Sequence, residues 1–279
     1  QVANVLTDLG LGREARVAWV LLDTVDYPSV FWGAVRAGVV PVCLNTLLKV
    51  EQYLYMLNDS RAQALVVSAP LLPIVEPLFA ELPHLRHVIV SGEAGDHPCL
   101  SALMDQAKDT FDTAATHPDE AAFWLYSSGS TVAPKGVRHL HTSPAYVADN
   151  YGKNVLGIRH DDICFSAAKL FFAYGFGASM AIPMSVGATT VLLPDRPTAD
   201  SVLDMLKRFN PTLFFGVPTL YAAMLAEDNC MPENSSKDLR LCISAGEGLP
   251  EDVGQSWQDR MGAPILDGIG STEMLHVFL

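Results

Sequence analysis

Residues Tyr126 to Val137 read Y-S-S-G-S-T-V-A-P-K-G-V. An apolar run, Phe123-Trp124-Leu125-Tyr126, leads into Ser127, Ser128, Gly129, Ser130 and Thr131. Lys135 and Gly136 close the stretch, and a second β-leaning segment follows. Hydroxyls, backbone N–H groups with little side chain in the way, and one cation are what a polyphosphate requires of a protein. No other segment concentrates these groups. The stretch is not a Walker loop: Pro134 precedes Lys135 and Gly136 follows it, where G-x-x-x-x-G-K-[ST] needs Gly and Ser or Thr. The dinucleotide pattern G-x-G-x-x-G is also missing. A flexible surface loop is the plain alternative, but it sits poorly with a stretch set between two strands and closed by P-K-G.

Further along, Ser244-Ala245-Gly246-Glu247-Gly248-Leu249-Pro250 and Asp267-Gly268-Ile269-Gly270-Ser271-Thr272-Glu273 each join glycines to an acid after a strand-like run. Gly268 and Gly270 let backbone approach a flat ring. Thr272 offers a hydroxyl to a phosphate, and Glu273 a hard oxygen to Mg²⁺. Against this, Thr-Glu is often no more than a helix start. In Lys169-Leu170-Phe171-Phe172-Ala173-Tyr174-Gly175 the aromatic residues read, on periodicity alone, as core. Lys169 reads as structural. His276 has two readings, a partner that hydrogen-bonds or polarises a carboxylate and a satisfied structural histidine. His139 and His141 read as strand or turn residues, since no third metal ligand stands at a recognisable spacing.

The elements that must position these residues alternate. Strands are expected at Val17–Leu22, Val39–Cys43, Ala64–Ser68 and His87–Val90. Helices are expected at Tyr27–Ala37 with Asp26 as cap, at Glu51–Leu57 and at Leu71–Leu82. Ser91 to Glu120 breaks the rhythm around one short helix, Ser101–Lys108, and is the expected subdomain junction. Beyond it a helix is expected at Ser143–Lys153, then strands at Ile163–Ser166 and Thr189–Leu193. A helix capped by Thr198 runs to Phe209, and Thr212–Phe215 is a strand. Pro218–Ala226 is a helix, Leu239–Ser244 a strand, Pro250–Met261 a helix and Ile265–Asp267 a strand. This rhythm predicts an α/β fold with mainly parallel sheet flanked by helices. The expected division is 1–115 for a first α/β subdomain and 116–279 for a second.

Composition narrows the function. The 279 residues are 49% hydrophobic and 18% charged, which fits a globular protein. A net charge of −13 would repel a nucleic acid over most of the surface. Five scattered cysteines without a C-x-x-C pair argue against a disulfide frame or zinc site and for a reducing compartment, with the cytoplasm as the expected location. The uncharged run Leu170 to Leu193 raises a membrane helix. Gly175, Gly177, Pro183, Gly187 and the β-branched end make a buried helix followed by a strand the expected reading, so no membrane span is expected.

The loop S-S-G-S-T-x-x-P-K-G resembles the signature loop of the adenylate-forming superfamily: acyl- and aryl-CoA ligases, luciferases and peptide-synthetase adenylation domains. The two glycine-acid segments follow in that family's order, and the resemblance covers essentially the whole chain. The segment Lys169–Gly175, with Met274-Leu275-His276-Val277-Phe278, looks most like benzoate-type CoA ligases. The implied fold is part of the family's large N-terminal domain. The implied chemistry is activation of an aryl carboxylate such as benzoate by Mg²⁺-ATP, followed by transfer to coenzyme A.

Residue by residue, the resemblance implies that Ser127, Ser128, Gly129, Ser130, Thr131 and Lys135 hold ATP. Gly246, Glu247, Asp267, Gly268, Ile269, Ser271 and Thr272 would lie about the adenylate. Lys135, Thr272 and Glu273 are the implied catalytic residues, with Glu273 on the metal. Phe172, Ala173, Tyr174, Gly175, His276 and Val277 would line the acyl pocket, Phe172 as its gate. Val132 stands where the family has glycine; if that position takes φ > 0, a β-branched residue costs about 1–2 kcal/mol there. The chain begins without Met and stops in an apolar run, so the expectation is a piece truncated at both ends. It would lack the mobile C-terminal domain and be inactive or nearly so alone. Two other readings stand beside the ligase: an inactive module binding a nucleotide or aryl acid, and an adenylation domain feeding a carrier protein. A homodimer is the one protein partner entertained.

Overall fold

Apolar strands and amphipathic helices alternate along the chain, and a computed structural model, described over residues 1–127 and 133–279, shows how they assemble. Six strands form a first sheet: β1 (Arg16–Val20), β2 (Val40–Cys43), β3 (Ala64–Ser68), β4 (His87–Ser91), β5 (Ala121–Ser127) and β6 (Lys135–Leu140). Their order is β4-β3-β1-β2-β5-β6, parallel throughout except for the antiparallel pair β5–β6. Helix Asp26–Arg36 buries Tyr27, Val30, Phe31 and Ala34, the i, i+3, i+4, i+7 stripe of a helix lying on a sheet. Phe31 meets Trp19 of β1 and Phe123 of β5 edge-on at 6.0 and 5.1 Å. On another part of the sheet Ala18 and Val20 join Tyr53, Met56 and Leu57 of helix Val50–Ser60 in one core. Both faces of a parallel sheet are thus covered, which is why its strands read as near-continuous apolar runs.

A second sheet is wholly parallel, in the order β11-β10-β9-β7-β8, from β7 (Ile163–Ser166), β8 (Thr189–Val191), β9 (Leu213–Gly216), β10 (Leu241–Ala245) and β11 (Ile265–Gly268). Its core gathers Phe165, Phe214, Tyr221 and Trp257 with Val202, Leu203 and Leu206 of helix Ala199–Phe209. Thr198 caps that helix as expected, its hydroxyl accepting the Ser201 N–H at 3.2 Å.

Three expectations are corrected. The two units are Gln1–Thr142 and Ser143–Leu279, so the division falls well past residue 115. The cause is non-local pairing: β5 joins β2, and β6 joins β5, which keeps both strands in the first unit. Asp26 is not a cap. It lies in the first turn of its helix, and its carboxylate accepts the Ser91 hydroxyl at 2.6 Å. Leu71–Leu82 is not one helix but three short pieces, because Pro70, Pro73 and Pro77 each remove a backbone donor. The run Leu170 to Leu193 forms the helical segments Ala173–Phe176, Gly177–Ala181 and Ile182–Val186 and then β8. Among the described residues no helix is long and apolar enough to cross a membrane.

Candidate active site

In the second unit the chain turns from β7 to β8 on one side and to β9 on the other, so β7 and β9 flank the point where the strand order reverses. Open α/β sheets bind ligands outside the carboxyl ends of their strands at such a point. The loop leaving β7 is built tightly. A Cβ on Gly175 would fall 2.1 Å from the Lys169 carbonyl oxygen, so only glycine closes this turn. Lys169 is structural, its Nζ donating to the carbonyls of Leu193, Pro194 (3.3 Å) and Asp195 (2.6 Å). Phe172 keeps half its surface exposed beside buried Phe171, while Ala173 and Gly175 are buried and Tyr174 is partly buried. The Tyr174 hydroxyl lies 3.1 Å from the Gly216 carbonyl oxygen and 3.0 Å from that of Ile243, so its proton ties this loop to the end of β9 and the middle of β10.

His276 is the chemically distinctive residue of this end. It is 1% exposed, and neither ring nitrogen has a hydrogen-bond partner among the described residues. Its ring sits 5.1 Å from that of Tyr151, 5.4 Å from Tyr174 and 6.4 Å from Phe215. Burial pushes its pKa down to about 3; the Tyr174 backbone, near but not in hydrogen-bonding geometry, pulls weakly the other way. The imidazole is therefore neutral at pH 7, with one N–H donor and one acceptor to offer. Two π-helical stretches converge on it. Tyr151 comes from Ala148–Lys153, and Gly177 opens Gly177–Ala181. A Cβ on Gly177 would meet His276 Cδ2 at 2.0 Å. Neither residue is legible in the sequence, because the contacts span about a hundred residues or more and carry no motif. The sequence does place His276 and Tyr174 in one site, and the structure brings them together.

The two glycine-acid segments also lie at this end. β10 and β11 are paired to their last residues, Ala245 opposite Gly268. Gly246 follows with φ +97°, a conformation that favours glycine. Asp267 accepts the Leu249 N–H at 3.1 Å and so joins the two turns. Glu247 and Ile269 are exposed. From Gly268 the chain doubles back: Gly270 bridges Val277, and the Phe278 N–H donates to the Ile269 carbonyl at 2.9 Å. A Cβ on Gly268 would strike Val277 Cγ1 at 2.4 Å. At the tip the Ser271 hydroxyl accepts the Met274 N–H at 3.2 Å, Thr272 is half-buried and Glu273 exposed.

In the first unit β5 and β6 bracket the stretch expected to hold phosphate, with Ser127 opposite Lys135 and the lysine exposed. Ser128, Gly129, Ser130, Thr131 and Val132 lie outside the described residues. His139 is a buried β6 residue stacked on Phe123 at 4.9 Å, as a strand reading requires. No group of three or more metal-ligating residues occurs among the described residues. Glu273 still fits Mg²⁺ chemically, since that ion is commonly held by one or two carboxylates with substrate phosphates supplying the rest.

Known proteins resemble the chain over its whole length. The family model described as AMP-binding enzyme matches residues 1–279. The chain is 52% identical over 273 residues to a benzoate–CoA ligase of Thauera aromatica, covering 98% of this chain and 51% of that protein. It is 52% identical to a 4-hydroxybenzoate–CoA/benzoate–CoA ligase of Rhodopseudomonas palustris, covering 100% and 52%. The chain thus spans about half the length of the curated relatives it matches. Among solved structures, a benzoate CoA ligase from Burkholderia xenovorans LB400 superposes with a TM-score of 0.93 at 46% identity, over 99% of this chain and 55% of that one. The anthranilate CoA ligase AuaEII, in complex with anthranoyl-AMP, gives 0.96 at 38% identity, over 99% and 54%.

Proposed function

The chain belongs to the AMP-binding enzyme family, and from that premise we propose that it is the ATP- and aryl-carboxylate-binding part of an aryl-CoA ligase. The observation that carries the aryl part is buried, neutral His276, unpartnered at both nitrogens and caged by aromatic rings. An apolar ring gains from leaving water there, and one imidazole N–H remains to orient a polar group on it. The names of the relatives support benzoate or a near neighbour as the acid.

In the first step a carboxylate oxygen attacks the α-phosphorus of ATP; the bond to the bridging oxygen breaks, and pyrophosphate leaves with its electron pair. In the second the coenzyme A sulfur attacks the acyl carbonyl and AMP leaves. The first step asks for positioning and charge neutralisation rather than a strong base. Ser127, Ser128, Gly129, Ser130 and Thr131 would hold phosphate oxygens, with Lys135 as a point charge. Gly246, Glu247, Asp267, Gly268, Ile269 and Ser271 would form the adenylate's bed, and Thr272 would donate its hydroxyl to the phosphate. Glu273 would contribute the protein oxygen to Mg²⁺, which when bound neutralises phosphate charge. Phe172, Ala173, Tyr174, Gly175 and Val277 would shape the slot around His276. Five free cysteines fit a reducing compartment, and the cytoplasm is the proposed location. Turnover by the 279-residue chain alone is proposed to be negligible, and robust thioester formation by it would refute that.

Calorimetry with benzoate, ATP and benzoyl-AMP tests the reading. A ligase site binds the adenylate at least about a hundredfold tighter than either part, as intermediates close to a transition state are held. Equal affinities for the three would instead favour an inactive binding module.

A further inference from the structure

The hairpin β5–β6 sets Ser127 opposite Lys135, and one pair deeper sets Tyr126 opposite Gly136. A Cβ on Gly136 would meet Trp124 Cε3 at 2.9 Å and Tyr126 Cζ at 3.4 Å, so glycine here makes room for both rings over β6. Both rings pack on the core that contains Met56 and Leu57. In the last turn of helix Val50–Ser60, Asp59 Oδ2 accepts the Tyr126 hydroxyl at 2.6 Å, and the Met56 carbonyl oxygen lies 3.2 Å from it. Arg16 of β1 adds a second tie. Its guanidinium sits 5.8 Å from the Trp124 ring centre, and its Nε donates to the Ser60 carbonyl.

For packing alone, phenylalanine would serve at position 126. Asp59 is exposed, so its carboxylate does not need this bond to be solvated, and an exposed tie of this kind contributes little to global stability. What the bond fixes is local: the end of β5, one residue before Ser127 and directly across from the residue after Lys135. We infer that Tyr126 and Asp59 are positioning residues for the nucleotide, holding the hairpin end that presents Ser127 and Lys135. The inference rests on the proposed ATP-binding role of that loop.

The test measures Mg²⁺-ATP affinity by calorimetry, and separate KM values for ATP and benzoate by pyrophosphate exchange, in the full protein and four variants. Tyr126→Phe and Asp59→Ala should each raise the ATP Kd and KM about fivefold, the size of one such bond, and leave the benzoate KM within about twofold. Asp59→Asn, whose amide oxygen still accepts, should stay near the parent. Tyr126→Phe combined with Asp59→Ala should be no worse than either alone. Unchanged ATP affinity in all variants overturns the inference, as does an equal loss for ATP and benzoate accompanied by a lower Tm. A parent that binds ATP without exchanging pyrophosphate defeats the ligase reading alone, because ATP affinity still reads the positioning role. A parent that binds no ATP defeats both.

Discussion

At the amino ends of the second sheet, Asp162, Thr212 and Arg240 stand immediately before β7, β9 and β10; at the carboxyl ends stand Gly246, Asp267 and, from the returning chain, His276. The first group spends its polarity internally. Arg240 grips Asp162 with two N–H groups at 3.0 and 2.7 Å and donates to the carbonyls of Leu156 and Gly157, both at 3.1 Å. Asp162 also accepts the Thr212 hydroxyl at 2.7 Å and the Arg159 N–H at 2.8 Å. The second group leaves polarity unspent. Both His276 nitrogens and the Ser244 hydroxyl are buried without a partner among the described residues, and Glu247, Asp267 and Glu273 face solvent. One sheet thus carries a fastened end and an end with unsatisfied polar groups, the end where the ligand site is proposed; such groups concentrate at functional sites.

The largest expected effect comes from cutting the fastened end. Asp162→Ala should lose about 3 kcal/mol in denaturant unfolding, since it leaves a partly buried guanidinium without its counter-charge. Burial alone would raise the Asp162 carboxyl. Hydrogen bonds from Arg240, Thr212 and the Arg159 N–H, with the Arg240 charge, override burial and hold it below the usual range. Its contribution is therefore present above the unfolded carboxylate pKa and lost as pH falls through the folded one. His276 acts in a higher window. The unfolded chain takes up the proton near 6.5 and the folded one only near 3, so stability should decline between those values as pH falls. An acid unfolding curve that is flat from pH 6.5 to 4 would remove the buried, neutral histidine from the account.

Next in size is Gly177→Ala. The added methyl has nowhere to go but into the His276 ring, so stability should fall by about 2 kcal/mol despite alanine's better helix propensity. Benzoate affinity should fall about tenfold or more. A variant that binds benzoate like the parent would detach Gly177 from the site. The smallest effect is expected at the phosphate loop: Val132→Gly should improve the ATP KM by a few-fold, on the order of 1 kcal/mol, if the family's glycine conformation operates there. Unchanged pyrophosphate exchange would show that valine is accommodated.

Much of this was legible in the chain. Strands such as Ala64–Ser68 and Ile163–Ser166 follow from apolar runs bounded by breakers, and Thr198 announces its helix by its capping hydroxyl. The Tyr126–Val137 stretch marks its own place because its residue types are unusual together. What was hidden is non-local. That β5 joins β2 decides the unit boundary, yet no residue near 115 signals it. The Asp162–Arg240 clasp spans 78 residues, and Tyr126–Asp59 spans 67. Both His276 nitrogens stand unpartnered among rings drawn from Tyr151, Tyr174 and Phe215, a fact of packing and not of spelling.

The most direct test of the contrast is a single variant read in two ways. His276→Leu, close in volume and without polar atoms, should keep or raise unfolding stability by about 1 kcal/mol, because a buried unpartnered group costs about that much. The same protein should bind benzoate about tenfold more weakly. Stability and affinity moving in opposite directions is the predicted result; a large loss of stability with benzoate affinity intact would make His276 a structural residue and contradict the account.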